Sequence, residues 1–124
     1  ITLFETNDYD YVSNDHPPTF PLGYVVEVFS FSALETAWKN AVPSEREHVT
    51  DHFWKNKQIF KQINYGKSTN LPNVRCTLDT EHDYNLIKTI VQKINHRPIL
   101  FNHVVKLFEN EPELFNINKH VKHG

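Results

Sequence analysis

Short runs of β-branched and aromatic residues alternate along this chain with longer stretches in which apolar positions recur every three or four residues. The first pattern predicts strands and the second predicts helices. "DYDYVSN" contains a Tyr/Val run closed by Ser13, Asn14 and Asp15. "YVVEVFSF" carries Val, Phe and Tyr on both faces, with Glu27 alone among them. Both read as strands, as do "IFKQINY" and "VRCTL" further on. Between the first two, "HPPTFPLG" holds three of the chain's seven prolines in eight residues. Proline fixes φ and removes a backbone donor, so this segment reads as an ordered loop, and "GKSTNLPN" as another.

The helical pattern begins at "SALETAWKNA", where Leu34, Ala37, Trp38 and Ala41 share a face and Ser32 is placed to cap. Pro43 then opens a second helix over 43–56, with Ser44, Glu45 and Glu47 suited to its first turn. In "TEHDYNLIKTIVQKI" the apolar face is Tyr84, Ile87, Ile90, Val91 and Ile94. After His96 and Pro98 one more helix follows, and a shorter one starts at Pro112. This order predicts an α/β or α+β fold with mixed strand directions, because several connections are too short for crossover helices.

Composition narrows the picture. With 124 residues, 39% hydrophobic and 13% aromatic, the chain can bury a core and forms one domain or part of one. A formal charge of -2 gives no general attraction to nucleic acid or anionic lipid. The densest basic stretch (Lys55, Lys57, Lys61, Lys67) reads as solvated surface. Cys76 is the only cysteine, which leaves no internal disulfide and fits a reducing, cytoplasmic compartment. No apolar stretch approaches the roughly 20 residues of a membrane helix, and no basic leader suggests export. The absence of any Met, an initiator included, raises the expectation of a fragment.

Five stretches, "DYVSN" (10–14), "FPLGYVVEVFSFSALETAWKNA" (20–41), "PSEREHVTDHFWKN" (43–56), "VRCTLDTEHDYNLI" (74–87) and "FNINKHVK" (115–122), are collinear and span nearly the whole chain. In that order they resemble the second half of the spore-coat polysaccharide cytidylyltransferase family. That family is similar to the CMP-sialate and CMP-ketodeoxyoctonate synthetases. The resemblance implies a Rossmann-like α/β/α nucleotidyltransferase fold with a mixed sheet. It also implies an enzyme that joins CTP to a sugar or sugar acid with Mg²⁺, releasing pyrophosphate. Such enzymes open with a Gly/Arg/Lys nucleotide-binding loop and carry a metal-binding Asp near mid-chain. This chain has three glycines, none in a phosphate-cradling cluster. Residues 1–124 are therefore expected to be the C-terminal half of the enzyme, inactive alone and prone to self-association as a homo-oligomer.

Asp79 is the principal candidate. By spacing alone it reads as the N-cap of the following helix. The resemblance implies instead the second metal carboxylate, with Thr80 taking over the cap. Mg²⁺ suits a lone acid because it completes its shell with water and substrate phosphates. Asp83, four residues on, could add a second acid on the same helix face, but reads first as a solvated first-turn acid. Arg75 is either a phosphate or carboxylate contact, or a strand residue that pairs with Glu27 or lies at the surface. Glu27, on a half-exposed strand or in a sugar cleft, is tilted by the resemblance towards the cleft.

Within "EREHVTDH", Arg46 and His48 are candidates for an anionic acceptor, against an ordinary solvated helix face. His48 and His52 also have the i, i+4 spacing of a helical zinc pair, but the sequence H-V-T-D-H lacks the metalloprotease Glu. His16, His82, His96, His103, His120 and His123 show no ligand spacing, and Cys76 reads as a small buried thiol. One departure from the family pattern stands out. Where acids are usual, this chain has Leu22 and Val25, which bears on acceptor specificity and on activity itself. The alternative to an enzyme half is thus a non-catalytic sugar-binding or oligomerisation module of the same ancestry.

Overall fold

The Tyr/Val run at the start of the chain becomes the middle strand of a three-stranded sheet in the computed structural model, which describes residues 1–66, 71 and 73–122. β1 (Tyr11–Ser13) is buried at all three positions, as a strand with a neighbour on each side should be. β2 (Glu27–Phe29) runs antiparallel to it, with Tyr11 opposite Phe29 and Ser13 opposite Glu27. β3 (Gln62–Asn64) runs parallel on the other side, with Tyr11 opposite Gln62. Strand directions are mixed, as the short connections require.

The chain divides into two compact units, one of Ile1–Thr19 with Val25–Ser68 and the other of Phe20–Tyr24 with Thr69–Gly124. The first holds the sheet, α1 (Thr2–Asn7), α2 (Phe31–Asn40) and α3 (Asp51–Lys55). Its core is Tyr11, Ala33, Ala37, Phe53 and Phe60, and the Tyr11 ring stacks on Phe53 at 5.0 Å. No element is read from the sequence for α1, whose Thr6 and Asn7 side chains bond back to the carbonyls of Thr2 and Leu3.

Two helix boundaries differ from expectation. Ser30, not Ser32, caps α2: its Oγ accepts from the Ala33 N–H at 3.0 Å. The reason lies in the sheet, since β2 ends at Phe29 and the Ser30 N–H donates to the Asp10 carbonyl. The single helix expected over 43–56 is instead a 3₁₀ turn, Pro43–Glu45, followed by α3. Glu45 Oε2 and His52 Nδ1 lie 2.6 Å apart. A continuous helix would separate two residues seven positions apart by about 10.5 Å along its axis, so the chain folds back between them.

The second unit holds α4 (Glu81–Lys93), α5 (Phe101–Asn110) and a closing 3₁₀ turn, Pro112–Asn116. Its core comprises Leu71, Val74, Leu86, Ile90, Ile94, Val104, Leu107 and Phe115. The face that α4 buries is Asp83, Leu86 and Ile90, while Tyr84 and Val91 stay exposed. The inner stripe is thus turned from the one expected, because an acid occupies its first position.

"VRCTL" does not form a strand. It makes one parallel bridge, Arg75 to Leu22, with the Cys76 N–H donating to the Leu22 carbonyl at 2.7 Å. Pro21 has no N–H to extend that ladder, and Gly23 sits at φ +103°, outside the strand region. A Cβ at Gly23 would lie 2.4 Å from the Cys76 carbonyl oxygen, so the close approach needs glycine twice over. Most of the loop expected over "GKSTNLPN", with Lys67 and His123, lies outside the described residues. Among the described residues no helix is long and apolar enough to cross a membrane.

Candidate functional site

The start of α4 is built by the pattern T-x-x-D. Thr80 Oγ1 accepts from the Asp83 N–H at 3.3 Å, and Asp83 Oδ2 accepts from the Thr80 N–H at 3.0 Å. This reciprocal pair satisfies two of the helix's orphan donors and fixes where α4 begins. Thr80 is therefore the cap, and Asp79 stands one residue outside it.

Asp83 does more than cap. Its Oδ1 accepts from Arg75 Nε at 2.9 Å and Asn118 Nδ2 at 2.8 Å. Its Oδ2 accepts from Arg75 Nη2 at 3.1 Å and from the Asp79 and Thr80 N–H groups. Five donors converge on one carboxylate whose side chain is 0% exposed. The Arg75 guanidinium, ahead of the Asn118 amide and the two backbone groups, holds the Asp83 carboxyl well below the usual carboxylate range against the opposing effect of burial. The same contact raises Arg75 above its ordinary value.

Asp79 is placed differently. Arg75 Nη2 donates to its Oδ2 at 2.8 Å, yet its side chain is 67% exposed. Arg75 itself is 10% exposed, with Nε and Nη2 on the two acids and Nη1 without a partner among the described residues. Among the described residues no cluster of three or more His, Cys, Asp or Glu could hold a metal ion. A single exposed carboxylate still fits Mg²⁺, which takes one or two protein carboxylates and draws the rest of its shell from water and phosphate. Asp83 does not fit, since donors already occupy both its oxygens.

The other candidates lie in the first unit. Glu27 is half-buried and accepts from the Tyr11 hydroxyl at 2.5 Å. Burial, and then that bond to Glu27, raise the Tyr11 phenol well above its ordinary value. Arg46 is exposed, donates to the Trp38 carbonyl at 3.1 Å and lines a cleft of about 270 Å³ with Leu34, Ala37, Trp38 and Val49. His48 is exposed and precedes α3, so the helical His48/His52 pair that zinc would need is not formed. His52 is instead buried against Glu45, whose carboxyl that bond holds below its usual range. Cys76 is half-buried, and burial pushes its thiol up to about 11, which leaves it a poor nucleophile.

Sequence reading placed Asp83 in solvent and passed over Asn118. For Asp83 the signal was present, since T-x-x-D ahead of an apolar run is the capping-box pattern. For Asn118 there was none. Its side chain donates to the Arg75 carbonyl at 3.0 Å as well as to Asp83, across 43 and 35 residues of chain.

No family model matches the chain. It is 33% identical over 119 residues to an uncharacterised protein of Methanocaldococcus jannaschii, a match covering 94% of this chain and 48% of that protein. In structure it is similar to a cytidylyltransferase from Leptospira borgpetersenii, with a TM-score of 0.85 and 24% identity. That likeness covers 98% of this chain and 51% of the other. The chain thus spans about half the length of each, and its fold is that of part of a Rossmann-like nucleotidyltransferase with a mixed sheet.

Proposed function

We propose that this chain is the acceptor-sugar-binding and metal-binding half of a cytidylyltransferase, which activates a sugar or sugar acid with CTP for surface polysaccharide synthesis. The observation that carries the reading is the likeness, across 98% of the chain, to about half of a solved cytidylyltransferase. Asp79 would hold Mg²⁺, and when bound the ion supplies charge neutralisation at the triphosphate and orientation of the attacking hydroxyl. The chain's own residues do the rest by position. Thr80 and Asp83 fix the backbone on which Asp79 stands, and Arg75 steadies its carboxylate. The sequence offered Arg75 as a substrate contact. Its engaged donors favour a holding role instead. In the first unit Arg46 and His48 are exposed and Glu27 is half-buried, which leaves these three available as the proposed acceptor contacts.

A second reading, a non-catalytic module of the same ancestry, is favoured by one observation. Leu22 and Val25 replace acids usual in the family that the sequence resembles. Pyrophosphate release from CTP, assayed with a panel of sugar acids, separates the readings. Residues 1–124 alone should be inactive, because phosphate positioning and one metal carboxylate would lie outside them. Joined to a Gly/Arg/Lys nucleotide-binding half, the chain should support Mg²⁺-dependent turnover. Robust turnover by residues 1–124 alone would overturn the half-enzyme reading. No turnover by the joined protein with any acceptor would favour the module.

A further inference from the structure

Asp79 is exposed, and exposed carboxylates on flexible side chains make poor ligands unless something fixes them. Both contacts that fix Asp79 lead to Asp83, one directly and one through Arg75. The Asp79 N–H donates to Asp83 Oδ2 at 3.1 Å, which sets the backbone. Arg75 Nη2 bridges the two acids, 3.1 Å from Asp83 and 2.8 Å from Asp79, which sets the side chain. Asp83 is in turn seated by Asn118, a residue 1% exposed whose amide also holds the Arg75 carbonyl. One buried amide near the end of the chain therefore grips both the acid and the arginine that aim Asp79.

We propose that Asp83 and Asn118 are positioning residues of the metal site, so that the segment following α5 sets the cation affinity of Asp79 without touching the cation. This rests on reading Asp79 as a metal carboxylate. Partners that orient a metal ligand from behind are typically worth about 10–100-fold in metal affinity. Asn118→Ala should thus lower affinity by about tenfold. It should do so in a folded protein, since Arg75 and Asp83 keep each other.

The probe is Mn²⁺, titrated into residues 1–124 while broadening of the Leu78–Glu81 backbone amide resonances is followed by NMR. Thermal unfolding of each variant is recorded alongside. In the wild type these amides should broaden first, and Asp79→Asn should abolish the selectivity. Asn118→Ala should raise the half-broadening concentration about tenfold. The exchanged pair Asp83→Asn/Asn118→Asp keeps one carboxylate and one amide in the same place. An amide at 83 cannot take both Arg75 donors as a carboxylate does, so this pair should recover neither stability nor Mn²⁺ affinity. A purely structural role predicts that stability falls in these variants while Mn²⁺ affinity stays at the wild-type value. If Asp79→Asn abolishes selective broadening while Asn118→Ala and the exchanged pair bind Mn²⁺ as the wild type does, the positioning role is wrong and the metal reading stands. If broadening is unselective in the wild type or survives Asp79→Asn, the metal reading itself is wrong and the positioning role falls with it.

Discussion

Arg75 Nε lies 2.9 Å from Asp83 Oδ1, and the two side chains are 10% and 0% exposed. Removing one partner of such a pair leaves the other as an uncompensated buried charge. Asp83→Ala should therefore cost about 3 kcal/mol or more in unfolding free energy, measured by urea denaturation. Asp79→Ala, which loses an exposed pair and no cap, should cost about 1 kcal/mol at most.

The same pair gives the stability an acid limb. Asp83 binds its proton more weakly in the folded chain than in the unfolded one. Its contribution is thus complete above about pH 5, and it is lost as pH falls through about 3.9 towards the lower folded value. Thermal midpoints recorded between pH 3 and 7 should fall on the acid side, and the fall should be shallower in Asp83→Asn.

A second, milder limb belongs to α5. His103 Nδ1 accepts from the Leu100 N–H at 2.9 Å, which requires that nitrogen unprotonated, and the His96 ring lies 4.3 Å away. Burial first, then the charges of His96 and Lys106, lower the His103 pKa. Stability from this cap is complete above about pH 7 and is lost as pH falls through about 6.5 to the folded value. The protection factor of the Leu100 amide against exchange, measured relative to its intrinsic rate at each pH, should fall between pH 7 and 5.5. His103→Gln, which keeps an acceptor at the same helix position, should flatten that dependence.

Gly23→Ala should destabilise by about 1–3 kcal/mol in urea, because the site combines φ +103° with a Cβ position 2.4 Å from the Cys76 carbonyl oxygen. Retention of wild-type stability would mean that the 20–24 segment can move off Cys76 without cost.

β2 and β3 are the edges of the sheet among the described residues; Val26, just before β2, and Ile63, within β3, are 60% and 40% exposed. Open edges flanked by apolar side chains pair with further strands. Sedimentation velocity should show residues 1–124 associating as concentration rises. A monomer throughout would remove the basis for a homo-oligomer.

Legibility in the sequence followed the range of the forces involved. Local patterns gave the centres of β1, β2, β3, α4 and α5 because alternation and helical spacing act over a few residues. They misplaced the cap of α2, since Ser30 is chosen by where β2 ends. They also ran one helix through 43–56, since the Glu45–His52 contact that folds the chain back is tertiary. "VRCTL" had strand composition without a neighbour able to extend the ladder, because Pro21 and Gly23 interrupt it. At the candidate site, the family resemblance singles out Asp79, while Asp83 reads as solvated because charge at a first turn usually is. Its burial depends on Arg75 and on Asn118, 35 residues away in the chain, and no local pattern carries that.

The most direct test of the account is Mg²⁺-dependent pyrophosphate release from CTP by the chain joined to a Gly/Arg/Lys nucleotide-binding half, with and without Asp79→Asn. Thr80 caps α4, so the substitution keeps the helix start and removes the negative charge proposed to hold the cation, together with one exposed ion pair to Arg75. The predicted result is a loss of turnover of at least about 100-fold with an unchanged thermal midpoint. Near-normal turnover with the same Mg²⁺ dependence in Asp79→Asn would contradict it.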